Sequence, residues 1–281
     1  MDTLFNDHIE KRTNLGKTAI GYKNVTGILT KASGFMSSYD YTLNPYSGCS
    51  FGCTYCYAAF FSRSAEKRDN WGYWVDVKEN ALALLIKYRR KPLTGKTIYI
   101  SSVTDPYQPI EKELELTRSL LKELNNYHDP IIVIQTRSPV VTRDIDLFKK
   151  FNKIQINMTI TTDSEEVRKV FEPLCPSNSV RLKAIKEVHD SGIDSCITMT
   201  PLLPIRNAED FAKKLLDTGI TKFIIQPFHS DRGNFIASTR DQALKIVKDM
   251  DWNIVKYKEV VYVLKKYFPD IGEGKEGFSI T

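Results

Sequence analysis

The sequence is poor in the residues that metal sites and catalysts use most. Its 281 residues include four histidines, His8, His128, His189 and His229, and five cysteines. No apolar run approaches the roughly 20 residues needed to cross a bilayer. Residues 1–18 also lack the apolar core of a signal peptide. A cytoplasmic location without a membrane partner is therefore expected. Dense Lys/Arg patches are missing too. The net charge of +6 permits a polyanionic partner without demanding one. Five cysteines are too few for a disulfide scaffold, and a reducing compartment keeps thiols free. A cluster of cysteines then points to metal. There is no internal repeat or low-complexity linker, so one domain with short extensions is the simplest division.

What the chain does have is an alternation of strand-like and helix-like segments. Residues 1–40 show no strong period and read as an irregular extension. YDYTLNPY can start a strand. In VDVKENALALLIKYRR, apolar Val77, Ala81, Leu85 and Tyr88 fall at helical spacing. KTIYISS, PIIVIQT, KIQINMTITT, IDSCITMT and TKFIIQP read as buried strands. Between them, ELELTRSLLKELNNY, VTRDIDLFKKF, SVRLKAIKEVHDSG and NAEDFAKKLLDTG read as helices, the last two closing on glycine. DQALKIVKDM and VKYKEVVYVLKKYF add two more helices. About six βα units imply a parallel sheet, either open or rolled into a partial barrel. Loops after the strand C-terminal ends should carry the site.

Three of the five cysteines lie in NPYSGCSFGCTYCYAAF, as Cys49, Cys53 and Cys56 in a C-x3-C-x2-C spacing. A closed zinc site wants four ligands, and no histidine is near. Three thiolates suit a [4Fe–4S] cluster with one iron left open for a small molecule. Gly48 and Gly52 allow a tight wrap around such a group. A zinc loop completed by a distant ligand, or three core cysteines, are the alternatives. Cys175 and Cys196 lie more than a hundred residues downstream and cannot supply a second, four-cysteine cluster.

The motif, with an aromatic residue before its last cysteine, resembles the radical S-adenosylmethionine (SAM) superfamily. SSVTDPYQPIE, TRSPVVTRDIDL, INMTITTDSEEVRKVFEP and ITMTPLLPI resemble its spore photoproduct lyase-like branch, often labelled DNA repair photolyases. The likeness runs from about Thr30 to Pro227. It implies an α/β fold, a partial (β/α)6 barrel of the radical SAM type. The core would span 41–230, with an extension at 1–40 and a helical one at 231–281.

The resemblance also implies roles. Cys49, Cys53 and Cys56 would ligate a [4Fe–4S] cluster. SAM would bind its open iron and yield a 5′-deoxyadenosyl radical that takes a substrate hydrogen. Tyr57 corresponds to an adenine-side contact. Ser101 and Ser102 match the stretch that meets the amino acid end of SAM. Arg137 stands where the lyase has a lysine near the SAM carboxylate, and an arginine can grip a carboxylate bidentately. Thr159 matches a ribose-side serine, Thr200 an adenine-proximal position, and Arg181 is a further carboxylate candidate. Asp105 and Glu111 are either helix caps or near-site residues. The implied partners are a nucleic acid substrate and an electron donor such as flavodoxin or ferredoxin.

Two departures from the family pattern stand out. Ser-Ser-Val-Thr replaces the Gly-Gly-Glu segment found in many members. Ser101 also aligns with the cysteine that the lyase uses as hydrogen donor, and a serine O–H bond is too strong for that part. Cys175, in FEPLCPS, is the substitute donor candidate, whereas Cys196 lies inside a strand and reads as core. The expected function is lyase or repair chemistry on a nucleic acid base, with Phe60, Phe61, Trp71, Tyr73 and Trp74 available for stacking. The alternatives are a radical SAM enzyme acting on a small molecule or protein, and a non-catalytic metal protein that binds nucleic acid.

Overall fold

The computed structural model describes residues 11–228 and 241–279. The expected boundary at 230/231 lies outside the described residues, as do His8 and His229.

Among the described residues twelve strands form two sheets. They are β1 (Asn14–Leu15), β2 (Thr18–Lys23), β3 (Leu29–Lys31), β4 (Tyr41–Leu43), β5 (Tyr46–Gly48), β6 (Trp74–Lys78), β7 (Thr97–Ile100), β8 (Ile131–Thr136), β9 (Ile154–Thr159), β10 (Asp194–Leu202), β11 (Lys222–Pro227) and β12 (Gly272–Glu273). The larger sheet has the order β12-β11-β10-β9-β8-β7-β4-β3. Its neighbours from β4 to β12 are parallel, and β3 is antiparallel to β4. Helices Leu116–Tyr127, Asn178–Asp190 and Ala208–Leu216 connect successive parallel strands. This is the expected α/β architecture, a partial (β/α)6 barrel whose described sheet ends in two edges.

Its interior is layered. Tyr99, Val133, Cys196 and Ile224 project from β7, β8, β10 and β11 into one buried cluster with Tyr39 and Phe278. Phe278 bridges the gap between the two ends of the sheet: its carbonyl accepts the Tyr39 hydroxyl at 2.7 Å, and its ring stands 6.3 Å from Tyr99. A polar layer lies further along the strands. There Gln135 accepts from the Tyr99 hydroxyl and donates to Thr159 at 2.6 Å and Thr198 at 2.8 Å.

The helix ends follow sequence chemistry. Ser164 caps Glu165–Phe171, Ser177 caps Asn178–Asp190 and Asn207 caps Ala208–Leu216 through side-chain oxygens. Gly192 and Gly219, with φ of +81° and +77°, follow the latter two helices as expected.

Two segments differ from expectation. Residues 14–31 are not irregular: β1 and β2 join β6 and β5 in the smaller sheet, and β3 edges the larger one. VDVK is strand rather than helix. Val75 and Val77 are buried while Trp74, Asp76 and Lys78 are half-exposed, a period of two, and the helix Ala81–Ile86 starts only after Asn80. The apparent helical spacing ran across a strand–helix junction.

Candidate active site

The cysteine segment begins where β5 ends, and the chain returns at β6, the antiparallel partner of β5. The smaller sheet thus fixes both ends of this long loop. Gly48 ends β5 with φ +76°, and a Cβ there would meet the Trp74 carbonyl oxygen at 2.5 Å. Gly52 and Gly72 press together across the loop. A Cβ on Gly72 would lie 2.8 Å from the Gly52 Cα. Only glycine lets these backbones approach so closely.

Within the loop Cys49 and Cys53 are buried and Cys56 is half-buried. They share one apolar pocket with Phe51, Ala58, Ala59, Trp71 and Cys175. Trp71 is walled in and packs edge-on against Trp74, so it offers no stacking face. Phe60, Phe61, Tyr73 and Tyr57 are exposed. Tyr57 donates its hydroxyl to the Ser102 carbonyl.

The loop after β7 meets the cysteine loop directly. Thr104 donates to the Gly48 carbonyl at 2.6 Å, and Gln108 accepts from the Ser50 amide at 3.0 Å. Ser101 has φ +87° and donates its hydroxyl to the Thr104 carbonyl. Ser102 accepts from Asn44 at 3.0 Å. Asp105, buried, accepts from the Tyr107 amide, the Thr136 hydroxyl and the Arg137 amide at 2.8–2.9 Å, so it fixes the exit of β8 against the exit of β7. Glu111 stands deeper in the wall, holding Tyr46, Thr117 and Arg143.

Arg137 leaves the end of β8 and donates to the Tyr55 hydroxyl at 3.1 Å. Its Nε lies 3.6 Å from Glu172 and has no hydrogen-bond partner. Glu172, fully buried, accepts from Tyr55 at 2.5 Å, Thr161 at 3.0 Å and Arg181 at 2.6 Å. Burial alone would raise its carboxyl, but Arg181 and Arg137 outweigh burial and hold it down at about 2. Arg181 also donates to the Thr159 carbonyl at 3.0 Å, and its side chain is 0% exposed. Thr159 is equally enclosed by Gln135 and Thr198. These two residues line the wall from within, while Arg137 and the half-buried Ser102 and Thr200 face less crowded space.

Cys175 reaches the cysteine loop from the other side. Its Sγ is 3.7 Å from that of Cys53. Arg168 clamps its carbonyl at 2.9 Å. The contact with Cys175, working against burial, lowers the Cys53 thiol, whereas burial raises Cys175 and Cys49 and pushes Cys56 up to about 12. Cys196 sits in the core cluster of β10.

Among the described residues no three His, Cys, Asp or Glu side chains converge on a single-ion position. The pocket does fit a larger thiolate-held group. Thiols buried in apolar surroundings lose their protons readily only to a metal. Ser50 Oγ, Thr54 Oγ1 and Trp71 Nε1 are also buried here without partners. These are donors of the kind that hydrogen-bond cluster sulfurs.

Sequence reasoning missed Glu172 and Gln135, and it read Tyr55 only as the aromatic residue before the last cysteine, without its hydroxyl link to Glu172. Glu172 and Gln135 are lone polar residues in apolar stretches, VFEPL and IIVIQT, and that isolation was their signal. A hollow of about 460 Å³, lined in part by Tyr39, Gln155, Ser195 and Lys222, opens at the other end of the sheet, where β10 and β11 start. In parallel α/β folds chemistry sits at strand C-terminal ends, which is where the cysteine pocket lies. No described helix is long and apolar enough to cross a membrane.

Solved spore photoproduct lyase variants superpose with TM-scores of 0.58–0.59 at 15–16% identity, covering 90–97% of this chain and 80–88% of theirs. An uncharacterized protein of Methanocaldococcus jannaschii is 41% identical over 164 residues, and the match spans 58% of this chain and 61% of that protein. An uncharacterized protein of Acidianus two-tailed virus is 25% identical over 91% of this chain and 92% of its own. The family model of the radical SAM superfamily matches residues 43–217, a stretch that runs from the end of β4 to just past helix Ala208–Leu216 and encloses the cysteine pocket. The chain belongs to the radical SAM superfamily.

Proposed function

We propose that the chain is a spore photoproduct lyase-like enzyme, with a [4Fe–4S] cluster held by Cys49, Cys53 and Cys56, that acts on a nucleic acid base. The observation that carries this reading is the buried three-cysteine pocket beside Arg137 at the C-terminal ends of β7 and β8. When bound, the cluster and SAM supply an electron and a 5′-deoxyadenosyl radical that takes hydrogen from the substrate.

The chain's own residues bind, orient and shield. Arg137, half-buried at the end of β8, receives the SAM carboxylate. Ser101 and Ser102 meet its amino acid end, and Tyr57 and Thr200 border the adenine. Thr159 and Arg181 stiffen the wall behind them. The exposed rings of Tyr57, Phe60, Phe61 and Tyr73 offer stacking faces beside the cysteine loop. The nucleic acid assignment leans on fold likeness: one solved lyase of similar fold is a complex with AdoMet and a dinucleoside spore photoproduct. Ser101 cannot return a hydrogen atom, so Cys175 is the donor in this scheme. A flavodoxin or ferredoxin is the fitting reductant.

The test uses anaerobically purified protein. One [4Fe–4S] cluster per chain, and 5′-deoxyadenosine release from SAM under strong reductant, are expected. Replacing Cys49, Cys53 and Cys56 together by alanine should abolish iron binding, and a full cluster in that variant refutes the ligand set. A dinucleoside spore photoproduct, a thymine lesion, is then supplied and thymine is measured by mass spectrometry. Repair that is lost in Cys175→Ala supports the scheme, and equal repair by both proteins removes Cys175 from it. SAM cleavage without repair means that the substrate is a different molecule.

A further inference from the structure

The segment 171–175 grips the cysteine loop at three levels. The Phe171 carbonyl accepts the Thr54 amide at 2.9 Å. Glu172 accepts the Tyr55 hydroxyl at 2.5 Å. Cys175 places its Sγ 3.7 Å from Cys53. All three contacted residues lie between or at cluster cysteines. The grip is rigid because Arg168 donates to both the Glu172 and Cys175 carbonyls at 2.9 Å.

Glu172 does more than join backbones. Its carboxylate is 0% exposed and ties together four elements: the cysteine loop through Tyr55, the end of β8 through Arg137, the exit of β9 through Thr161 and the helix Asn178–Asp190 through Arg181. Two guanidinium groups pair with this one carboxylate; Arg168 beside them is answered by Glu165, and Asp105 is held at the Arg137 amide. Without Glu172 Arg137 and Arg181 would lose the carboxylate they share beside the cysteine pocket, and without Arg181 only Arg137 would remain against it. In a buried site such fixed charges are felt strongly by a nearby redox centre.

Resting on the cluster assignment above, we propose that Glu172 is a positioning residue that holds Tyr55 and Arg137 around the cysteine pocket and sets the charge there, and with it the reduction potential of the cluster. A carboxylate beside the cluster disfavours an added electron, and a guanidinium favours it. The two partners of this ion pair therefore pull the potential in opposite directions.

The test is an EPR-monitored redox titration of anaerobic holoprotein. Glu172→Gln keeps the size and one acceptor but loses the charge, and its midpoint potential should move to more positive values. Arg181→Met removes a positive charge from the same pair, and its potential should move to more negative values. Tyr55→Phe loses the hydroxyl link but no charge, and its shift should be smaller than either. Opposite shifts of the two charge variants support the inference, since loosened packing would not reverse sign with charge. Shifts in one direction, or none, overturn it. If Glu172→Gln fails to hold iron, Arg181→Met decides alone: a negative shift supports the proposal and any other result sinks it. A wild type that shows no reduced-cluster signal refutes the cluster assignment itself. A normal wild-type signal with unmoved variants refutes only the role of Glu172.

Discussion

Replacing Arg181 by methionine isolates the energetic weight of the buried ion pair. The guanidinium lies 2.6 Å from Glu172, with both side chains 0% exposed. Breaking a buried pair by removing one partner costs about 3–5 kcal/mol, because the remaining charge is stranded. Glu172 would keep Tyr55, Thr161 and the more distant Arg137, so the lower end, about 3 kcal/mol, is expected. The carboxyl reports the same balance in direction: Arg181 and Arg137 outweigh burial and hold it at about 2, below an ordinary 4.5.

The sign follows from the direction of the shift. The folded carboxyl is more acidic than the unfolded one, so its contribution is full above about 4.5 and fades as pH falls toward 2. The gap between wild type and Arg181→Met should therefore be full at neutral pH and narrow below about pH 5. Urea unfolding followed by tryptophan fluorescence, with metal content matched between the two proteins, measures it. A loss under about 1 kcal/mol at neutral pH, or a gap that stays constant on acidification, would show that the pair is not the buttress described here.

Arg137→Ala should weaken SAM binding by about 1.5–3 kcal/mol, the loss of one charge-assisted contact, and unchanged affinity in equilibrium dialysis would remove Arg137 from the site. Gly48→Ala drives a Cβ into the Trp74 carbonyl and strains a φ of +76°. Iron per chain should drop with it, and full iron with unaltered unfolding would contradict the close approach at the base of the loop. Gln135→Leu leaves the hydroxyls of Tyr99, Thr159 and Thr198 short of their shared partner. A cost of about 1–3 kcal/mol in thermal unfolding, with iron retained, is the expected outcome.

The parallel sheet was legible because strands covered on both faces become apolar runs. PIIVIQT and TKFIIQP have few other ways to be satisfied. The smaller sheet was not. β2 is buried at only two of its six positions and its edge neighbour β1 at none, as is β3 at the edge of the larger sheet, so these short strands carry no strong pattern. β2 is held by parallel pairing with β6, a partner far away in sequence, while β1 and β3 depend on short antiparallel pairings with β2 and β4. Their existence depends on tertiary context that propensity does not encode.

The site divides along the same line. The cysteines could be read because their spacing is local: a cluster a few ångströms across needs its thiolates on one loop, and eight consecutive residues supply them. The residues that hold this loop in place are remote from it. Tyr55 and Glu172 are separated by 117 positions, and Cys53 and Cys175 by 122. Glu172 does disturb its apolar surroundings in VFEPL, and a buried acid must find cations. Arg137 and Arg181 stood out only as candidate grips for a ligand carboxylate, and nothing in the sequence pairs them with Glu172. What the fold adds is the pairing. It brings the exits of β8 and β9 and a helix wall onto one carboxylate, and through Tyr55 it makes the cysteine loop part of the same charge-balanced unit.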